Sequence, residues 1–246
     1  TAVYFTDEKN GWAVGHDNKI LATQDGGTHW TLQYKSENLD ESQPYLDVWF
    51  KDKNHGFVVG AYGGFMHTED GGKTWEDWTD HIDNEDQLHF NGISGRADGT
   101  MFIVGEQGML FRSNDSGETW KKLNSPYEGS LFSVLAAKKT GVVYVCGLQG
   151  HIFKSTNNGD SWEKIKTGIS AGLMAANQLD DGAILITGNA GNVLRAADEN
   201  APLSLITRPD RQAVMGIVST RSPWVVAVGE GGVKLLSADG SSPETH

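Results

Sequence analysis

The chain has 246 residues, of which 38% are hydrophobic and 21% are charged, a composition that fits a folded core and excludes a disordered chain. Its formal net charge is −12, and it has no clusters of lysine and arginine to neutralise nucleic-acid phosphates, while the negative field would repel anionic lipids. We therefore expect no nucleic-acid partner and no direct membrane insertion. The single cysteine, Cys146, excludes an intrachain disulfide and a cysteine-based metal site.

Along the chain, an eight-residue motif, here called the box, occurs four times. It begins at Thr23, Thr68, Ser113 and Ser155, so successive boxes start 45, 45 and 42 residues apart. A fixed period of this length is typical of stacked or radially arranged copies of one supersecondary unit. The third position holds Asp25, Asp70, Asp115 and Asn157, and the eighth holds Trp30, Trp75, Trp120 and Trp162.

A second sequence pattern shows that the repeat occurs six times. In each repeat a glycine closes an apolar run, and an Asn or a Gly follows three residues later. These two residue types tolerate a positive φ, which predicts a tight hairpin turn at all six places. The closing glycines are Gly15, Gly60, Gly105, Gly147, Gly188 and Gly229, and the later residues are Asn18, Gly63, Gly108, Gly150, Gly191 and Gly232.

Each unit contains short strand-like segments separated by turn residues. In the second repeat the predicted strands cover residues 46–50, 55–59, 64–68 and 74–78. We therefore predict an all-β chain, a single-domain, six-bladed β-propeller of four-stranded antiparallel blades, with the box as the hairpin between the third and fourth strands. The predicted blades cover residues 1–34, 45–79, 90–123, 131–166, 172–207 and 213–240.

The sixth repeat does not decide how the propeller closes. It offers three strands, at 214–218, 224–228 and 233–236, whereas residues 237–246 are polar. Propellers often complete the last blade with a strand from the other terminus, and that strand would precede Thr1. Seven blades are the alternative if a terminal strand or a blade is missing, and a leader removed before Thr1 is a further open alternative.

The box residues are predicted to be structural. The carboxylate at the third position can accept backbone N–H groups of its own turn, and the tryptophan is expected to pack between adjacent blades. Catalytic or calcium-binding carboxylates would have to converge on one place, whereas the boxes are spread around a ring. We therefore expect no metal site, no cofactor and no catalytic residue.

At this point a family resemblance appears. The boxes resemble the Asp-box, or BNR, repeat of sialidases and related propellers. The fuller pattern of Gly11–Gly15 followed by Ile20–Trp30 resembles the photosystem II stability and assembly factor family, and His55–Gly60 with Phe65–Trp75 repeats it. The resemblance implies a non-catalytic propeller that binds newly made membrane-protein subunits on the lumenal or periplasmic side.

The arginine content departs from the family pattern. The photosynthetic members carry an arginine-rich surface patch, whereas this chain has six arginines, with Arg208 and Arg211 as the only close pair. This favours a bacterial, non-photosynthetic relative. We therefore predict a periplasmic or otherwise exported protein whose partner is a protein, as an assembly or accessory factor of an envelope membrane-protein complex.

The alternative is a carbohydrate-binding or glycoside hydrolase propeller similar to sialidases. Those enzymes clamp a carboxylate with three arginines, and the chain has no Arg-Ile-Pro segment before its first box. Arg112 and Arg195 occupy equivalent third-strand positions and can face a neighbouring blade as easily as a ligand. We therefore predict that the protein is not an enzyme.

The propeller hypothesis also predicts a partner-binding face. The turns between second and third strands lie opposite the boxes, together with two long acidic links, 35–45 and 79–87. Long loops on a rigid scaffold are common binding sites, and tyrosine is enriched in interface hot spots. The predicted face contains His16, Asp17, Tyr45, Tyr62, Glu106, Gln107, Gln149, Asn189 and Glu230, with Tyr45 and Tyr62 as its anchors.

Overall fold

The structure, a computed structural model, describes residues 1–36, 43–219 and 224–237. The chain divides into two compact units, Thr1–Glu128 and Gly129–His246. Among the described residues of both units, the regular structure is antiparallel β-sheet with single turns of 3₁₀ type. Part of the link 35–45 and the end of the predicted sixth blade lie outside the described residues.

The first unit contains three four-stranded sheets. The first is β1 (Ala2–Phe5), β2 (Gly11–Val14), β3 (Ile20–Thr23) and β4 (Thr31–Tyr34). The second is β5 (Tyr45–Phe50), β6 (Gly56–Gly60), β7 (Phe65–Thr68) and β8 (Glu76–Asp77). The third is β9 (Phe90–Gly95), β10 (Met101–Gly105), β11 (Leu110–Ser113) and β12 (Lys121–Lys122). Short turns occupy Ala61–Gly63, Thr79–His81 and Glu106–Gly108.

The second unit contains two four-stranded sheets and one of three described strands. The fourth is β13 (Leu131–Ala136), β14 (Val143–Gly147), β15 (Ile152–Ser155) and β16 (Glu163–Ile165). The fifth is β17 (Leu173–Gln178), β18 (Ile184–Gly188), β19 (Asn192–Ala196) and β20 (Ser204–Thr207). The sixth is β21 (Val214–Ser219), β22 (Trp224–Gly229) and β23 (Gly232–Ser237), and short turns occupy Leu148–Gly150 and Asn189–Gly191.

Within each sheet, strands that follow one another in the chain are neighbours, as in a propeller blade. The predicted fold class, a six-bladed all-β propeller, is confirmed, and so is the box as the link between third and fourth strands. The prediction of a single domain stays a prediction.

The second strands form the interior of each unit. All five residues of β6, β10, β14 and β18 are buried, and most of them are apolar. In the first unit Phe57, Phe65, Phe90 and Phe111 share one apolar cluster. Clusters of this kind, rather than backbone pairing, join one blade to the next within a unit.

The box is closed by hydrogen bonds between residues at most four positions apart. In the second blade Thr68 Oγ1 accepts the N–H groups of Asp70 at 3.3 Å and Gly72 at 2.8 Å, and donates to Asp70 Oδ1 at 2.9 Å. The same Asp70 oxygen accepts the N–H of Thr74 at 2.9 Å. These bonds to the ionised form lower the pKa of Asp70 to about 2, the Thr74 N–H first among them, which confirms the predicted turn-capping role.

The box tryptophans are less buried than predicted. Trp30 is 37% exposed, and Trp75 is half-buried, edge-on to Phe50 with ring centres 6.0 Å apart. The fully buried partner of this box is instead Trp12 of the preceding blade, which stacks on Phe50 at 3.6 Å and donates its Nε1–H to the Gly71 carbonyl at 3.2 Å. A second-strand aromatic therefore covers the box of the next blade.

Replacing Thr68 with valine is expected to lower the free energy of unfolding by about 2 kcal/mol, because the Asp70 and Gly72 N–H groups lose their acceptor while the shape is kept. Urea denaturation of the whole chain measures the change. Thr74→Val is the matched control, since the exposed Thr74 hydroxyl only donates to Asp70 Oδ2, and its expected cost is below about 1 kcal/mol. Equal urea midpoints for both variants would contradict the structural role of Thr68.

Candidate functional site

The turns between second and third strands share one left-handed conformation. The residues predicted to have positive φ do so in all six blades, from 49° at Asn18 to 76° at Gly63. In five blades the residue before them also has positive φ, and in blade 2 the Gly64 N–H bonds the Ala61 carbonyl at 3.0 Å. Two successive positive φ values define a type I′ hairpin turn. The first of the two residues is Asp17, Tyr62, Gln107, Gln149 or Ala190.

This conformation places a side chain at the tip of each turn. A non-glycine residue with positive φ is uncommon, and for an aromatic residue it is unusual. Tyr62 has φ 53° and is 55% exposed. An exposed aromatic ring in a strained turn is the feature that most distinguishes blade 2 from the other blades.

Eight of the nine residues predicted for the partner-binding face reach the surface. Glu106 is half-buried, and the exposed ones are His16, Asp17, Tyr62, Gln107, Gln149, Asn189 and Glu230. His16, Asp17, Tyr62, Glu106 and Gln107 belong to the first unit, and Gln149, Asn189 and Glu230 to the second. Tyr62 and Glu106 are brought together through His89, which the prediction did not include.

The prediction for Tyr45 is wrong. Tyr45 is only 3% exposed and packs in an apolar cluster with Trp12, Ile20 and Val58, and this burial raises the pKa of its phenol. The cause is the start of β5, which begins at Tyr45 instead of at Leu46. Tyr45 is therefore a core residue and cannot anchor a partner.

Glu106 and Glu230 form equivalent hydrogen bonds in two different blades. Glu106 Oε2 accepts the N–H of His89 at 3.0 Å, and the Glu106 N–H bonds the His89 carbonyl at 3.1 Å. Glu230 Oε2 accepts the Ala213 N–H at 3.0 Å in the same way, and the Glu230 N–H bonds the Ala213 carbonyl at 3.2 Å. Each carboxylate therefore connects its turn to the segment that leads into the first strand of the same blade.

A cavity of about 410 Å³ lies beside Tyr62, between the turn of blade 2 and the link that leads to blade 3. Its volume falls within the range of ligand pockets in proteins. The Tyr62 ring stands edge-on to His89 with centres 4.8 Å apart. We call this cavity the Tyr62 pocket, and its lining is Tyr62, Gly63, Thr79, Asp80, Ile82, Asp83, Asn84, Glu85 and Gln87.

The link forms a rigid wall of the Tyr62 pocket. Ile82 is 7% exposed and inserts into the apolar cluster of the first unit. The Asn84 side chain accepts the Leu88 N–H at 3.0 Å and donates to the Leu88 carbonyl at 2.9 Å, which closes the loop between them. Before the link, Trp78 stacks on His81 at 3.5 Å and donates Nε1–H to the Gly117 carbonyl at 3.2 Å.

The charge around the Tyr62 pocket is negative. Asp80, Asp83 and Glu85 are exposed, and none of the lining residues is a lysine or an arginine. Among the residues that the structure describes, these three carboxylates have neither a hydrogen bond nor an ion pair. Asp70 and Glu106, by contrast, accept backbone N–H groups.

Over 1–36, 43–219 and 224–237, no group of three or more His, Cys, Asp or Glu side chains is arranged to hold a metal ion. In the same part of the chain, no helix has the length and apolar character of a membrane span.

Blades whose antiparallel strands are connected by type I′ turns and by box hairpins define the chain as a repeat β-propeller. Residues 31–131 match the model of a family described as photosynthesis system II assembly factor YCF48. This match confirms the predicted resemblance to the photosystem II assembly factors. It spans blades 2 and 3 and the Tyr62 pocket. No curated protein sequence matches the chain.

Solved structures of other propellers show the same fold. A structure described as YCF48 bound to D1 peptide has a TM-score of 0.72 at 22% identity, over 99% of this chain and 79% of that one. YCF48 from Cyanidioschyzon merolae has a TM-score of 0.67 at 16% identity, over 96% and 80% of the two chains. The GH74 xyloglucanase from Xanthomonas campestris has a TM-score of 0.70 at 12% identity, over 95% of this chain and 44% of the enzyme.

Proposed function

We propose that the chain is a non-catalytic, protein-binding propeller that serves as an assembly or accessory factor of a membrane-protein complex in the cell envelope. The observation that carries the proposal is the match of residues 31–131 to the YCF48 family model. A structure of similar fold is described as YCF48 bound to D1 peptide, which supports a polypeptide as the ligand class. The protein would act in the periplasm or in another exported location.

The face with the type I′ turns is the surface that best fits this function. Its tip residues are exposed and are not used in the apolar core, and Tyr62 presents an aromatic ring at low conformational cost for an interface. In the box hairpins on the opposite side, the carboxylates already accept hydrogen bonds from residues of their own turns. We therefore place the partner on the turn face of the first unit.

Site-specific photo-crosslinking in the native cells tests the proposal. A photoreactive residue at Gln107, on the turn face, is expected to crosslink to a subunit of a membrane-protein complex. The same residue at Lys73, an exposed box position of the first unit, is the matched control and is expected to give no such product. Equal products at both positions, or none at Gln107, would contradict binding on the turn face.

A glycosidase is the second candidate, and the fold similarity to the GH74 xyloglucanase favours it. Glycoside hydrolysis uses two carboxyl groups at a fixed separation, one of them free to donate a proton. Glu106 and Glu230, the glutamates of the turn-face hairpins, each accept a backbone N–H through Oε2. Release of reducing ends from xyloglucan, lost in Glu106→Gln or Glu230→Gln, would replace the proposed function with this one.

A further inference from the structure

We propose that the Tyr62 pocket receives a lysine or arginine side chain of the partner protein, an inference that rests on the proposed function and adds the chemistry of the bound segment. The evidence is the combination of an open cavity of about 410 Å³, one exposed aromatic wall, and three carboxylates without partners among the described residues. Each of these observations limits the ligand in a different way.

The charge of the carboxylates favours a cationic ligand. Asp80, Asp83 and Glu85 lie on one short link, and like charges so close together repel one another when no cation is present. No lysine or arginine lines the Tyr62 pocket, and two cations of the first unit pair elsewhere, Lys19 with Asp17 and Arg96 with Asp98. A positively charged ligand would therefore meet a field that the protein itself does not neutralise.

The geometry of the carboxylates disfavours a bare metal ion. A calcium ion needs six to eight oxygen ligands within about 2.6 Å, which requires side chains that converge on one point. Among the described residues no such convergent group occurs. The amide of Asn84, a further oxygen on the wall, is already engaged by the Leu88 backbone. Carboxylates spread around a volume suit an extended organic cation.

The aromatic wall fits the same ligand. The face of a tyrosine ring attracts ammonium and guanidinium groups, and arginine stacks on such rings more often than lysine. Tyr62 is fixed by its turn and by its edge contact with His89, so its position is set before the ligand arrives. Together, ring and carboxylates form a site in which the stem of a basic side chain contacts Tyr62 and its charged head contacts the link.

Peptide titration of the whole chain, followed by NMR, tests the inference. The probe is the capped peptide Gly-Ser-Gly-Arg-Gly-Ser-Gly, and its control carries citrulline, which has the same shape without the charge. We expect the arginine peptide to bind at least 10-fold more tightly than the citrulline peptide. We also expect this preference to shrink in high salt, because salt screens exposed charges. Equal affinity for both peptides would overturn the inference.

Two charge-matched variants separate the pocket from the general negative field. The triple change Asp80→Asn, Asp83→Asn and Glu85→Gln is expected to weaken arginine-peptide binding at least 10-fold. The control is Glu69→Gln, Glu76→Gln and Glu118→Gln, which removes the same charge at exposed positions of the same unit and is expected to change affinity less than 3-fold. Equal losses in both triples would assign binding to net charge and overturn the pocket.

Tyr62→Asn isolates the aromatic wall, since asparagine tolerates positive φ and keeps the turn. We expect it to weaken binding of the arginine peptide about 5-fold. Crosslinking from Gln107 then distinguishes the two proposals. Membrane-subunit products that persist in the pocket triple variant would overturn the inference and leave the proposed function intact. If the wild type gives no crosslinked membrane subunit but still prefers the arginine peptide, the proposed function is overturned and the inference about the pocket stands.

Discussion

Replacing Gly60 with alanine is expected to lower the free energy of unfolding by about 3 kcal/mol, the upper part of the range for overpacking a core. The cause is space. A Cβ at this position would lie 2.7 Å from the Pro44 carbonyl oxygen and 3.0 Å from the Tyr45 Cα. Both are backbone atoms and cannot rotate away. The φ of Gly60 is −163°, ordinary extended backbone, so conformational preference contributes little.

The close approach at Gly60 comes from a register shift in β5. Between Tyr45 and Asp47 the pairing with β6 skips one residue, and the chain before β5 turns in over the end of β6. There the Ala61 N–H bonds the Pro44 carbonyl at 3.0 Å. The same glycine position meets the carbonyl of His89 at Gly105 and that of Ser130 at Gly147. The recurring glycine of the sequence repeat is therefore a steric requirement.

Gly15→Ala is the matched control for Gly60→Ala. Gly15 holds the equivalent position in blade 1, but the nearest atom to its Cβ would be the Thr1 backbone nitrogen at 3.6 Å, an ordinary contact. Its expected cost is below about 1 kcal/mol. Urea denaturation of both variants gives the comparison. A Gly60→Ala midpoint as high as that of Gly15→Ala would show that the carbonyl can move aside.

The second large effect concerns Asp47, whose replacement by serine is expected to change how stability depends on pH. Asp47 Oδ2 accepts the Ile93 N–H of the next blade at 2.9 Å, and Oδ1 accepts the Val48 N–H at 2.9 Å. Burial nevertheless raises the pKa of this carboxyl to about 6, more than these bonds lower it. The charged form is therefore less favourable in the folded protein than in the unfolded chain.

The raised pKa determines the direction of the effect. The folded protein keeps the proton of Asp47 at pH values where the unfolded chain has lost it, so stability falls as the pH rises from about 4 to 6. The contribution is about 2 kcal/mol, after a reduction for partial exposure of the side chain. Serine carries no such proton. Relative to the wild type, Asp47→Ser is expected to gain about 2 kcal/mol between pH 4 and pH 7.

A serine already occupies the position equivalent to Asp47 in the fourth blade. In the second unit Ser133 Oγ accepts the Ala176 N–H at 3.1 Å, which is the same bond between first strands of adjacent blades. Stability is compared at each pH as the difference between variant and wild type, so that other groups cancel. Among these is His67, whose pKa is lowered by burial and whose contribution runs in the opposite direction. Parallel curves for both proteins would show that Asp47 is ionised throughout.

Local features of the fold could be predicted from the sequence, because their causes are local. The hydrogen bonds of a box join residues a few positions apart, and the positive φ of Gly63 or Asn18 follows from residue type. The preceding positive φ was missed, because tyrosine and glutamine give no signal for it. Tyr62 and Gln107 adopt it because their neighbours fix the hairpin.

Features that depend on packing between distant segments could not be predicted. The exposure of Trp30 and the burial of Tyr45 depend on which blade covers them. The link 79–87 could be recognised as long and acidic, but not as one wall of the Tyr62 pocket. That wall depends on the insertion of Ile82 into the apolar cluster and on the Asn84 contacts with Leu88.

The box has a consequence for the origin of the molecule. Each hairpin carries its own donors and acceptors within a few residues, as Thr68, Asp70 and Thr74 illustrate. A duplicated gene segment would therefore encode a turn that closes without any adjustment elsewhere. Blades of such a chain can multiply and diverge, with the faces between them adapting afterwards, and the imperfect fourth box, with Asn157 in place of aspartate, still closes in the same way.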